Sequence, residues 1–155
     1  MERIDYRVVA PEAIAALRQV QAYVDRCELE PRLLELIKLR ASQVNGCAYC
    51  VDMHSQDARA LGETEQRLHA VVVWREAPFF TDRERAALAW TEAVTAIAAS
   101  GAPDDVYQTA RQQFGERELV DLTMAILAIN SWNRLAVSFR AQAGSYRPAV
   151  KSPAA

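Results

Sequence analysis

From residue 116 to residue 143 the chain runs without a glycine or a proline, and its apolar side chains fall on more than one side of any helix drawn through it. Leu119, Leu122, Ile126 and Ile129 make one stripe, while Met124, Leu127, Leu135 and Phe139 lie elsewhere on the circumference. A helix this apolar needs neighbours on several faces, and the rest of the chain must supply them. Asn130, Asn133 and Arg134 sit together at i, i+3 and i+4 on it. They read as packed or subunit-interface positions, because buried polar groups need partners and such groups fix register between helices.

The neighbours are legible as further helices. Pro11 opens one over 11–26, with Ile14, Leu17, Val20 and Val24 at helical spacing. Pro31 opens a second over 31–44, carrying Leu33, Leu36, Ile37 and Val44, and Asn45-Gly46 breaks it. A third begins near Cys47 and ends at Leu61, before Gly62. A fourth spans Thr64 to about Arg75, although Val71-Val72-Val73 is poor helical material. Thr81-Asp82-Arg83-Glu84 has the form of a capping box and launches a helix to about Ala99; Pro103 to Phe114 is shorter and closed by Gly115. The expectation is an all-α, single-domain bundle of about six to seven helices over residues 1–144, followed by a flexible tail over 145–155.

A chain of 155 residues can bury roughly two-thirds of its unfolded surface, so a core without disulfide staples is feasible. Its 18 Lys and Arg against 20 Asp and Glu are intermixed, with no basic cluster to suggest nucleic acid. The opening MERIDYRVVAPEAI lacks the unbroken apolar run of a signal peptide, and no stretch approaches the roughly 18 apolar residues of a membrane span. Three cysteines, two of them close together, do not form a secreted disulfide framework. The expected setting is cytoplasmic, without membrane or nucleic-acid partners.

Residues 44–54, VNGCAYCVDMH, carry the chemistry. Haem attachment would need histidine directly after the second cysteine, where Val51 stands. Zinc would find three ligands in Cys47, Cys50 and His54, leaving a fourth to distant Cys27 or His69. Redox work fits better. Cysteines three apart in a first helical turn have Cα atoms roughly 5 to 6 Å apart, within reach of a disulfide. Unpaired amides at the helix start favour thiolate there. His54 lies one turn beyond Cys50 on the same face and could take its proton. That pairing favours Cys50 as nucleophile, whereas proximity to the helix end favours Cys47, so the residues name the pair better than the roles. Glu35, set among Leu33, Leu34, Leu36 and Ile37, is a candidate proton shuttle if burial raises its pKa toward neutrality. His69 reads as a structural or surface histidine, Cys27 as a partly buried side chain, and Trp74, Trp90 and Trp132 as core or interface anchors.

With these residues in view, the sequence resembles the alkylhydroperoxidase D-like, or carboxymuconolactone decarboxylase, family. Glu35, Cys47, Cys50 and His54 match its redox pattern one for one, and the likeness continues through DARALG (57–62), WREAPFFTDRERAALAWTEAVT (74–95) and INSWNRLAVSFR (129–140). The resemblance implies a helical fold assembled into homotrimers or homohexamers. It also implies that Cys50 attacks an organic hydroperoxide, that Cys47 resolves the sulfenic acid to a disulfide, and that Glu35 and His54 relay protons. A lipoylated protein or another dithiol would return the electrons, and no bound cofactor is needed. One position departs: Tyr49 stands where the peroxidase branch has a second histidine, and tyrosine is a poor base at neutral pH. Two alternatives remain open at this point: a lyase acting on a carboxylated lactone with the cysteines idle, and a non-catalytic zinc-stabilised module.

Overall fold

The computed structural model describes residues 1–148, and among these every regular element is helical. The elements are α1 (Tyr6–Val9), α2 (Pro11–Val24), α3 (Pro31–Val44), α4 (Ala48–Ala60), α5 (Glu65–Ala70), α6 (Asp82–Thr95), α7 (Ile97–Ser100), α8 (Asp104–Gln113) and α9 (Glu116–Phe139). The all-α expectation holds, and the helices number more than six or seven for local reasons. The β-branched run Val71–Val73 tightens into a 3-10 turn instead of prolonging α5. The helix expected to reach Ala99 is interrupted at Ala96, which leaves α7 as a separate turn. The last helix stops at Phe139, four residues early, where Arg140 turns left-handed (φ 56°) and the Ala141 amide bonds back to the Ala136 carbonyl.

α3 is the centre of the bundle and packs against α4, α6 and α9. Leu36, Ile37 and Leu39 are almost wholly buried, each contributing roughly 1.5 to 3 kcal/mol. Nine consecutive or near-consecutive residues of this helix, from Leu33 to Ser42, are buried, including Glu35 and Lys38. One apolar cluster joins α3 to α9 through Leu33, Ile37, Leu122 and Ile126; a second joins α3 to α6 and the Val71 turn through Leu36, Leu39, Val71 and Leu88. Cys27 packs at the edge of the first cluster and Trp74 and Trp90 are buried, as expected of core residues. His69 is exposed.

The turn after α3 is fixed by side chains of α9. Asn45 shares its two amide protons among the Ala41 carbonyl (2.9 Å), Asn130 Oδ1 (3.0 Å) and Asn133 Oδ1 (2.9 Å). Asn133 in turn donates to Ser42 Oγ (3.1 Å), Asn130 to Thr95 Oγ1 (3.0 Å), and Arg134 to Asn130 Oδ1 (2.9 Å). The polar triplet on the apolar helix is therefore a clamp on the 45–46 turn. Gly46 follows at φ 65°, a left-handed conformation that a side chain would strain, and delivers the chain into α4 with the Cys47 amide on the Ser42 carbonyl (2.9 Å).

Candidate active site

Cys47 is the N-cap of α4, and its sulfur accepts the amide of Cys50 at 3.3 Å. The first turn of a helix leaves amides without partners, and here a sulfur takes the place that serine or aspartate usually fills. The hydrogen bond from the Cys50 thiol lowers the Cys47 pKa most; burial opposes it, and the amides of Cys50 and Tyr49 with the Asn133 side chain help to bring it down to about 7. That same bond, burial and the charge on Cys47 push Cys50 far above the ordinary thiol range. Near neutral pH the first ionisation of the pair is thus about half complete, and the charge it creates rests on Cys47 while Cys50 keeps its proton. We expect an ultraviolet thiolate titration of the reduced protein to show a single thiolate with a midpoint of about 7. Cys47→Ser removes that transition, and Asn133→Ala raises the midpoint. A midpoint in the ordinary thiol range would contradict the N-cap account.

The two cysteines line different cavities. Cys50 lines a cavity of about 440 Å³ together with Glu35, Lys38, Tyr49, His54 and Trp132, among others. Cys47 lines a smaller one of about 190 Å³, between the start of α4 and the end of α9. Tyr49 contributes to both walls. Each cysteine is about 1% exposed, sealed by Ala41, Ile129 and Ala136. Trp132, read from sequence as a core or interface anchor, is a half-buried wall of the larger cavity.

Glu35 and His54 meet as the sequence suggested, but with a different electrostatic outcome. His54 Nδ1 is 2.7 Å from Glu35 Oε2, and the Lys38 ammonium donates to Glu35 Oε1 at 2.9 Å. Burial pushes Glu35 upward, yet the hydrogen bond from His54 and the nearby positive charge of Lys38 together outweigh it and hold the carboxyl at about 2. The neutral-range Glu35 expected from its apolar neighbours is therefore corrected: it is an ionised anchor that orients the imidazole. Nor does His54 bond the thiol directly. Among the described residues no hydrogen bond joins it to Cys50, and its Nε2 is buried without a partner. With Nδ1 held by a carboxylate, Nε2 is the ring atom left to exchange a proton with something bound in the cavity.

Sequence reading missed Lys38, although its i+3 spacing from Glu35 was a usable signal. It also missed Asp57, one turn beyond His54, and Tyr6 and Arg7, which sit on the unforeseen α1. Tyr146 donates to Asp57 Oδ1 at 2.7 Å and the Gly144 amide to Asp52 Oδ2 at 2.9 Å. Tyr146, within the tail expected to be flexible over 145–155, is thus bonded to α4, and residues 149–155 lie outside the described residues. The metal reading is also corrected. Among the described residues the donors that gather within 4.8 Å of one another are Glu35, His54 and Asp57, not the two cysteines with His54. Both carboxylates of that trio already bind donors of the protein, Lys38 and Tyr146.

The carboxymuconolactone decarboxylase family model matches residues 10–93, a span that includes Glu35, both cysteines and His54. The chain belongs to the carboxymuconolactone decarboxylase family. Within reach of this family assignment, YdfG, an uncharacterized protein of Bacillus subtilis, is 40% identical over 93% of the chain and 98% of its own length. A protein of unknown function from Agrobacterium tumefaciens, described provisionally as the antioxidant defence protein AhpD, superposes with a TM-score of 0.91. It is 49% identical over 94% of this chain and 100% of that one. An alkylhydroperoxidase AhpD core from Ralstonia eutropha, a peroxidase-related protein, has the same fold at a TM-score of 0.79, with 20% identity over 90% of this chain and 74% of that one. The fold is alkylhydroperoxidase D-like, and no helix among the described residues is long and apolar enough to cross a membrane.

Proposed function

We propose that the protein is a thiol-dependent hydroperoxide reductase that cycles Cys47 and Cys50 between dithiol and disulfide. The observation that carries the reading is the division of labour in the pair: an acidic Cys47 at the helix N-cap, and Cys50 on the cavity wall shared with the orphaned Nε2 of His54. In this cycle Cys50 gives up its proton and attacks the terminal oxygen of the hydroperoxide. The O–O bond breaks, the alkoxide takes a proton to leave as alcohol, and Cys50 is left as sulfenic acid. The Cys47 thiolate then attacks the Cys50 sulfur and expels hydroxide, which takes from solvent the equivalent of the proton that Cys47 released on ionising and becomes water. Two thiols and one hydroperoxide yield a disulfide, an alcohol and water. His54, backed by ionised Glu35, is the group that accepts and returns the proton, and with Tyr49 in place of a second histidine it does so alone.

A dithiol, such as that of a lipoylated protein, would return two electrons by exchange at the disulfide. A homotrimer or homohexamer would cover Val120, Leu127 and Val137, which α9 leaves exposed. Cytoplasmic residence suits a thiol pair that must be kept reducible. The competing lyase reading leaves the low-pKa Cys47 without a task.

The test is intact mass after reduced protein meets one equivalent of cumene hydroperoxide. Loss of two hydrogens, faster than an ordinary free thiol reacts, is the expected result. An unchanged mass over that time defeats the redox reading and returns attention to turnover of a carboxylated lactone.

A further inference from the structure

The larger cavity is lined by three cations, Arg7, Arg18 and Lys38, and three acids, Asp25, Glu35 and Asp57, but the two arginines are the charged side chains in it left without a hydrogen-bonded partner among the described residues. Its acids are largely spoken for: Glu35 is paired with Lys38 and His54, Asp57 accepts from Tyr146, and Asp25 accepts from Gln21 at 2.9 Å. Two lining cations, Arg7 of α1 and Arg18 of α2, make no side-chain hydrogen bond or ion pair among the described residues. Arg7 is nevertheless held in place, its guanidinium 4.8 Å from the Tyr6 ring and 5.8 Å from the Tyr49 ring. Tyr6 is itself anchored: it is 6% exposed, packs on Phe139 at 5.5 Å, and its segment is tied by the Arg3 amide to the Phe139 carbonyl. The same cavity is lined by Met53, Ile129, Trp132 and Ala136, which give Cys50 apolar neighbours on its wall.

From this arrangement we infer that the site selects amphipathic substrates bearing a carboxylate, with the anion on Arg7 and Arg18 and the apolar stem laid along Ile129 and Trp132 toward Cys50. Guanidinium groups are suited to planar carboxylates, and an unpaired pair of them at an apolar cavity discriminates against neutral molecules of the same length. The volume of about 440 Å³ is in the usual range for a small-molecule site and suits a medium-length chain. On the proposed redox reading the substrate class is therefore the hydroperoxides of carboxylic acids rather than neutral alkyl hydroperoxides. Specificity resides in α1 and α2, outside the dithiol motif.

The experiment measures binding, so that its outcome does not depend on the reaction. Decanoate and its neutral counterpart decanamide are titrated against the reduced full-length chain by calorimetry. The expected result is about tenfold or greater preference for decanoate, the scale of one charge-assisted contact. Raised salt weakens decanoate alone, and Arg7→Gln with Arg18→Gln brings the two affinities together. Equal affinities in the unmodified protein, no measurable binding of decanoate, or a preference that survives the double substitution each overturn the inference. Failure of the mass test above with preserved decanoate selectivity would instead remove the peroxidase reading and leave the carboxylate site standing.

Discussion

Cys50→Ser is expected to lower hydroperoxide consumption by about a thousandfold or more, because it removes the only thiol among the described residues that line the larger cavity. Cys47→Ser should behave differently. Without its neighbour's charge and hydrogen bond, the causes that raise Cys50 most besides burial, the remaining thiol is easier to ionise, and it can still attack once. The first equivalent of peroxide is then consumed, and Cys50 stops as a sulfenic acid that dimedone traps and mass spectrometry locates. The contrast between a dead variant and a stalled one is the signature of a nucleophile and its resolver. The reverse pattern, with Cys47→Ser dead and Cys50→Ser stalled, would move the attack to Cys47 and its smaller cavity. Two fully active variants would end the redox reading.

How far this could be read in advance depends on whether the signal was local. The breaks at Asn45-Gly46 and Gly62 bracket α4 correctly because turn residues act through their own backbone. The capping box at Thr81 to Glu84 formed for the same reason, with both reciprocal bonds present. Cys47 at an N-cap was close to legible, since spacing placed the pair at a helix start. The electrostatics of Glu35 were not. Its apolar neighbours suggested a raised pKa, and the result depends on Lys38 and His54 reaching the same oxygen pair across two helices. The polar triplet of α9 could be recognised as needing partners, but not that its partner would be Asn45, 85 residues from Asn130. α1 was invisible because a four-residue helix has no periodicity to detect, and with it went Tyr6 and Arg7.

Glu35→Gln tests whether the acid is an ionised anchor, and its effect should appear in stability before it appears in rate. The folded carboxyl is held at about 2 against an ordinary value of 4.5, so the native state favours the charged form. A depressed acid contributes stability that is fully present above pH 4.5, declines as pH falls, and is gone below about 2. The difference of 4.5 − 2 pKa units corresponds to about 3 kcal/mol. The glutamine variant also leaves the Lys38 ammonium buried without its counter-charge, a change that costs on the order of 3 to 5 kcal/mol where a buried pair is broken. Denaturant unfolding at neutral pH should therefore show a loss of about 3 kcal/mol or more. That gap between the two proteins should close as pH falls from 4.5 toward 2. Other depressed acids, Glu63 and Glu92 among them, also weaken the fold in acid, but they do so in both proteins and cancel in the difference. A gap that stays constant through this window would mean that Glu35 titrates as an ordinary carboxyl, and the imidazole would then lack the fixed charge that holds its Nδ1.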